Sequence, residues 1–363
     1  MSASNWPGLP KGIQSRTVSI NDLEMHVLEA SPPITGTSKL PLVILLHGFP
    51  ELSYSWRKII GPLSDAGYHV VVPDQRGYGR TKIVQSGSTT IKYEDDLSPY
   101  RMTNLVKDIV TLVYTLGYES VAAIVGHDFG SRVAAWCALI RPDLFKSVVL
   151  MSSTFAGPPK LSLGKAPTSP DFKKVVTEDL AVLTPPRKHY WFYYSTPEAN
   201  AHMTNAPGGL QVFLREYYHL PHYYVMPLDA TMPEAVHGFG PSTEEIQRNA
   251  WLTEEELIVY ATEYARTGFQ GGLNSAYRVN TSAAWSSELE LFSGKQIDVP
   301  AMFLAGKQDW NTYKLPGAVE AMRGRACKNM EDFVLIDGAG HWVQQEQSDR
   351  VVEHLVRFLG KRQ

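Results

Sequence analysis

Apolar positions along the chain follow two different periods. Residues 17–29, TVSINDLEMHVLE, alternate apolar and polar and break at Asn21-Asp22, which predicts a hairpin. Residues 42–46 (LVILL), 69–73 (HVVVP), 147–153 (SVVLMSS), 299–305 (VPAMFLA) and 333–337 (FVLID) are continuous apolar runs, the mark of strands buried on both faces. Between them the period changes. In residues 104–117, Leu105, Ile109, Leu112, Val113 and Leu116 share one helical face and Gly117 is placed as a C-cap. A second amphipathic helix is expected over residues 349–359. Buried strands alternating with helices predict an α/β fold with a mostly parallel sheet covered on both sides. The alternation stops near Ser153. Residues 155–291 are rich in Pro, Tyr and Trp and helical in pattern. The expected organisation is one α/β domain, residues 1–154 and 292–363, carrying an inserted, mainly helical cap.

The sharpest local signal is VAAIVGHDFGSR, residues 121–132. An apolar strand runs into Gly126-His127-Asp128-Phe129-Gly130, and a helical pattern follows. Strand, tight turn and helix, with glycine on either side of the apex, predict an elbow that presents Asp128 at the carboxyl edge of the sheet. An Asp between two glycines is also an ordinary turn residue. What raises Asp128 above that reading is the pair of residues after the last two strands. Asp309 follows the strand at 299–305, and His341 follows the strand at 333–337 in GAGHW. A nucleophile needs a base, and the base an orienting acid. Asp332 and Asp337 compete for the orienting role, but an acid on a separate strand is the usual arrangement, which favours Asp309. Asp309 could equally be a helix N-cap. Asp74 and Arg76 are read as loop-holding residues.

Composition narrows the function classes. A net charge of -3 gives no electrostatic case for nucleic acid or anionic membrane as a partner. No apolar run is long enough to span a bilayer. The two cysteines, Cys137 and Cys327, do not make a disulfide framework, and the N-terminus shows no secretory pattern, so a cytoplasmic location is expected. His189, His219, His222 and His237 lack metal-ligand spacing with carboxylates, so no metal is expected.

Taken together, HGFP (47–50), DQRGYG (74–79), GHDFGSR (126–132), GKQD (306–309) and GAGHW (338–342) resemble the soluble epoxide hydrolase branch of the α/β-hydrolase superfamily, over about residues 15–360. The resemblance implies an α/β-hydrolase fold with a cap, no cofactor, and hydration of a small apolar or aromatic epoxide by water. In that scheme Asp128 forms an alkyl-enzyme ester and His341, oriented by Asp309, activates the water. The backbone N–H groups of Phe49 and Phe129 form the oxyanion hole. Tyr190, from the cap segment HYWFYYSTP, protonates the alkoxide. Tyr277 is the candidate second acid, although one extra residue separates Asn274 from it. On a helix one residue turns a side chain by about 100°, so either a bulge absorbs it or Ala276 takes the tyrosine's place. His47, Pro50, Trp191 and Trp342 are expected around the substrate, along with some of the other cap aromatics, which run to Tyr217, Tyr218, Tyr223 and Tyr224. A monomer or homodimer is expected. The competing readings are an Asp-nucleophile dehalogenase, against which Phe129 lacks the side-chain donor of the haloalkane type, and a binding protein without turnover.

Overall fold

The structure, a computed structural model, describes residues 6–33, 39–84, 90–161, 178–220, 225–248 and 251–362. His222, Tyr223 and Tyr224 lie outside them. The strands are β1 Gln14–Ile20, β2 Leu23–Ala30, β3 Leu42–Leu46, β4 His69–Pro73, β5 Lys82–Ile83, β6 Ala123–His127, β7 Val148–Met151, β8 Arg187–His189, β9 Val225–Pro227, β10 Ala301–Gly306 and β11 Met330–Ile336. Two compact units emerge. The first gathers Met1–Thr89, Met102–Pro158 and Gly294–Gln363; the second gathers Thr90–Arg101 and Pro159–Ser293.

The first unit is built on a sheet ordered β1-β2-β4-β3-β6-β7-β10-β11, with β5 beside β2. The pairings from β4 to β11 are parallel, while β1, β2 and β5 pair antiparallel. Every residue of β3, β6, β7 and β10 is buried, as their unbroken apolar runs require. Asn21 turns the β1–β2 hairpin at φ 46°. The expected helix face is present in Met102–Thr115, with Leu105, Ile109, Leu112 and Val113 buried and Gly117 following at φ 75°. Arg76 and Asp74 do hold the loop after β4, but through different partners. Arg76 pairs with Asp22 and Asp108, at 2.6 and 2.8 Å, while Asp74 accepts from His26 at 2.8 Å and from the Ser53 N–H at 2.8 Å. Both cysteines are buried and free.

The second unit is mainly helical, with a small β8–β9 antiparallel pair. Helices Leu210–His219 and Glu254–Thr267 pack through Tyr218 and Tyr260, 5.3 Å between ring centroids. The sequence pattern assigned residues 90–101 to the α/β domain. They group instead with this unit, because the Arg278 guanidinium lies 3.5 Å over the Tyr93 ring and donates to the Tyr93 carbonyl at 2.7 Å.

Candidate active site

Four loops at the carboxyl ends of β3, β6, β10 and β11 supply the candidate residues. Asp128 follows β6 directly and is the N-cap of the helix Phe129–Ile140, at φ 50°, ψ -118°. A non-glycine residue held there carries strain that the surroundings must impose. They impose it by close approach. A side chain at Gly126 would collide with the Gly130 backbone, and one at Gly130 with the Leu46 and His47 carbonyls. The two glycines flanking the elbow are therefore required by packing of helix on strand.

Asp128 meets groups from three other loops. The Phe49 N–H donates to its Oδ1 at 3.1 Å. His341 Nε2 stands 3.6 Å from its Oδ2, and Asn311 Nδ2 3.5 Å from the same oxygen. His341 Nδ1 is 3.0 Å from Asp309 Oδ1. That oxygen also accepts the Asn311 backbone N–H at 2.9 Å, so Asp309 caps the helix Trp310–Tyr313 and faces His341 with one atom. Asp309 is fully buried. Burial alone would push its carboxyl up, and His341 and nearby hydrogen bonds outweigh this and hold it below the usual range. Asp337 pairs with Lys307 at 2.7 Å and Asp332 with Lys361 at 2.9 Å, so neither faces His341. The Glu346 carboxylate accepts the N–H groups of Gly340 and Trp342, both at 2.8 Å, and thereby fixes the backbone on either side of His341. Trp310 stacks on the imidazole at 5.7 Å, and Trp342 meets it edge-on at 4.6 Å.

Under this layer lies a buried ion pair that sequence reasoning did not find. His127 Nδ1 is 2.6 Å from Glu51 Oε2, and neither side chain is exposed. Glu51 also accepts the Gly48 N–H at 2.7 Å and the Gln344 amide at 2.8 Å, and His127 Nε2 donates to the His341 carbonyl at 2.7 Å. Burial would push the His127 imidazole down, but the Glu51 carboxylate prevails and raises it to about 9. A pKa raised above the unfolded value of 6.5 gives stability that is complete below pH 6.5 and lost as pH rises through about 9. Chemical denaturation should lose on the order of 2–3 kcal/mol across that window. The Glu51→Gln/His127→Gln double variant should lack this slope; a flat wild-type profile between the two pH values would contradict the assignment.

The remaining candidates sort as follows. Phe129 is the first residue of the helix after Asp128. Pro50 and Trp342 are buried in the first unit. His47, expected beside substrate, is not placed for it. Its ring is completely buried, takes the Gln75 N–H on Nε2 at 3.1 Å and donates from Nδ1 to the Gly48 carbonyl at 2.9 Å, so it supports the turn from beneath. Within the second unit, Tyr190 starts the helix Tyr190–Tyr194, whose N-cap His189 accepts the Trp191 N–H at 3.2 Å. Trp191 is half-buried. Asn274–Arg278 forms a π-helical turn, which accommodates one extra residue in a helix. The Tyr277 ring packs edge-on against Tyr190 at 5.9 Å and tilted against Tyr194 at 4.6 Å. Ala276 is buried in the same turn.

A cavity of about 660 Å³ lies elsewhere, at the amino ends of the strands, among Leu42, Tyr68, Tyr118, Ala122 and Pro300. Among the described residues no group of three or more His, Cys, Asp and Glu side chains could hold a metal ion, and no helix is long and apolar enough to cross a membrane.

A carboxylate on a strained elbow, facing an imidazole backed by a second buried carboxylate, can attack carbon and then have its ester cut by water. Fold and site together define an α/β hydrolase with Asp at the elbow. The alpha/beta hydrolase fold family model matches residues 41–186. Epoxide hydrolase A of Mycobacterium tuberculosis is 34% identical, over 95% of this chain and 96% of its own length. Epoxide hydrolase 3 of Siraitia grosvenorii is 30% identical, over 96% and 99%. Among solved structures, an epoxide hydrolase from an endophytic Streptomyces superposes with a TM-score of 0.78 at 30% identity, covering 97% of this chain and 96% of that one. Potato (Solanum tuberosum) epoxide hydrolase I gives a TM-score of 0.74 at 29% identity, covering 96% and 99%. The chain belongs to the epoxide hydrolase family of α/β hydrolases, enzymes that hydrolyse ether bonds.

Proposed function

We propose that this enzyme hydrates an apolar or aromatic epoxide to a vicinal diol, without a cofactor, through an ester on Asp128. The observation that carries the reading is the contact of Asp128 with two groups of opposite purpose: the Phe49 N–H on Oδ1 and the His341 imidazole near Oδ2. Oδ1, held by a backbone donor, is suited to remain the carbonyl oxygen and take up charge when water adds. Oδ2 is the oxygen left to attack an epoxide carbon. The Phe129 N–H, at the positive end of its helix, is the natural second donor to Oδ1. His341, with Nδ1 tied to Asp309, keeps Nε2 as the base that takes a proton from water.

Ring opening leaves an alkoxide that needs an acid. Tyr190 is proposed for it, with Tyr277 as its partner. The ring contact between them and the π-helical turn that absorbs the extra residue after Asn274 support that pairing. The aromatic richness of the second unit favours an apolar or aromatic substrate. The absence of a side-chain donor at Phe129 weighs against a dehalogenase, whose leaving halide needs one.

Single-turnover reaction in 18O-water with enzyme in excess tests the route. The diol should carry unlabelled oxygen, and the label should appear in the peptide containing Asp128. Label entering the diol directly, with none in that peptide, would instead mean that water attacks the epoxide without an ester.

A further inference from the structure

Asn311 has no place in the scheme above, yet it touches both carboxylates of the site. Its backbone N–H donates to Asp309 Oδ1 at 2.9 Å. Its side-chain nitrogen donates one hydrogen to the Ser152 carbonyl at 2.5 Å and stands 3.5 Å from Asp128 Oδ2. The residue is 2% exposed. Ser152 is itself held at φ 58°, which presents its carbonyl to the amide. The amide orientation is unambiguous: reversed, its oxygen would face two acceptors. Its Oδ1 is buried and has no hydrogen-bond partner among the described residues. Burying an unpaired carbonyl is costly, so the amide makes sense at this position through what its nitrogen does.

We propose that Asn311 is a catalytic hydrogen-bond donor for the second half-reaction, acting on the oxygen that leaves Asp128 with the diol. The inference rests on the ester reading. In the ester, the bond from Asp128 Cγ to Oδ2 is the one to be broken. His341 takes a proton from water, and the hydroxide oxygen bonds to Cγ while the carbonyl electron pair moves onto Oδ1. On collapse the Cγ–Oδ1 double bond reforms and the Cγ–Oδ2 bond breaks. The electron pair departs on Oδ2, which receives the proton held by His341. The remaining proton of the water restores the acid consumed in ring opening. Charge at Oδ2 is therefore low in the ester and high as the bond breaks.

A donor anchored by its other hydrogen to Ser152, with its free N–H facing Oδ2, gains strength at that moment and needs no reorganisation. The same donor does not help the first half-reaction. There Oδ2 loses charge as it attacks carbon, so its hydrogen bond weakens on the way to the transition state. A contact of 3.5 Å in the resting carboxylate is long, as expected for a bond that tightens later.

The test is transient kinetics on Asn311→Leu and on Asn311→Ser, which keeps a small polar side chain too short to reach Asp128 Oδ2. Rapid quench and mass analysis of the Asp128 peptide give the alkylation and hydrolysis rates separately. Alkylation should be unchanged or faster, hydrolysis should fall roughly 10- to 100-fold, and the ester should accumulate in the steady state. Across epoxides whose diols differ in hydroxyl acidity, hydrolysis by the variants should depend more steeply on the acidity of the leaving oxygen, which a packing defect would not produce. Parallel losses in both steps, or an unchanged leaving-group dependence, overturn the assignment of Asn311. If no ester is found even in His341→Gln, the ester reading itself has failed. If ester forms there but the Asn311 variants partition like wild type, only the present inference has.

Discussion

Asp128→Asn leaves the elbow in place and abolishes epoxide turnover, with an expected loss on the order of 10⁴-fold or more in kcat. Asn is the informative replacement because it tolerates positive φ better than most residues, and the site holds residue 128 at φ 50°. Its amide oxygen can still accept the Phe49 N–H that Oδ1 accepts at 3.1 Å. What it cannot do is attack carbon as a carboxylate. Thermal unfolding should stay close to wild type, because the glycine approaches and the Glu51–His127 pair are untouched. The measurement is steady-state hydration of an aryl epoxide, with mass analysis for a covalent adduct. Retention of more than about a tenth of the activity, a difference of only 1.4 kcal/mol in barrier, would remove Asp128 from the mechanism.

The second large effect separates the two halves of the reaction. His341→Gln removes the proposed base while leaving Asp128 intact, so turnover should fall on the order of 10³- to 10⁴-fold. Unlike Asp128→Asn, this variant should be alkylated by substrate and stay alkylated. One equivalent of epoxide would then add its full mass to the Asp128 peptide, with release taking hours. The shorter amide also loses the 3.0 Å contact with Asp309 Oδ1 but leaves the carbonyl of residue 341 available to His127 and to the Ser152 hydroxyl. Loop position is thereby kept and the chemical role isolated. Loss of turnover without a trapped adduct would mean that the reaction does not pass through an ester on Asp128. The identity of the nucleophile would then have to be reopened.

Much of this site is legible along the chain, for a definite reason. Strands buried on both faces must be apolar throughout, so β3, β6, β7 and β10 announce themselves as runs, and the loops after them are known before any coordinates. A parallel sheet gathers those loops at one edge, which is why Asp128, Asp309 and His341 could be grouped by order alone. The glycines around Asp128 are equally local, since a helix that packs back on its own strand leaves no room for a Cβ.

What the sequence did not reveal depends on contacts between distant residues. Glu51 and His127 are 76 positions apart and Asn311 and Asp128 are 183 apart, and no periodicity connects either pair. His47 reads as a pocket residue from its place in HGFP, but only the packing of Gln75 and Gly48 against its two nitrogens shows that it faces inward. Residues 90–101 read as part of the α/β domain until Arg278 is found over Tyr93. At Asn274–Tyr277 the chain by itself posed a question of register that it could not answer, because one extra residue can be absorbed or can rotate a face. The fold has a π-helical turn there, which takes up one extra residue, and the Tyr277 ring lies against Tyr190. By itself, then, the sequence determined the sheet, the elbow and the order of Asp128, Asp309 and His341 along it, all properties of local pattern and strand burial. The hydrogen-bond partners that tune these groups were decided by tertiary structure, because a buried polar atom is satisfied by whichever neighbour the fold brings to it.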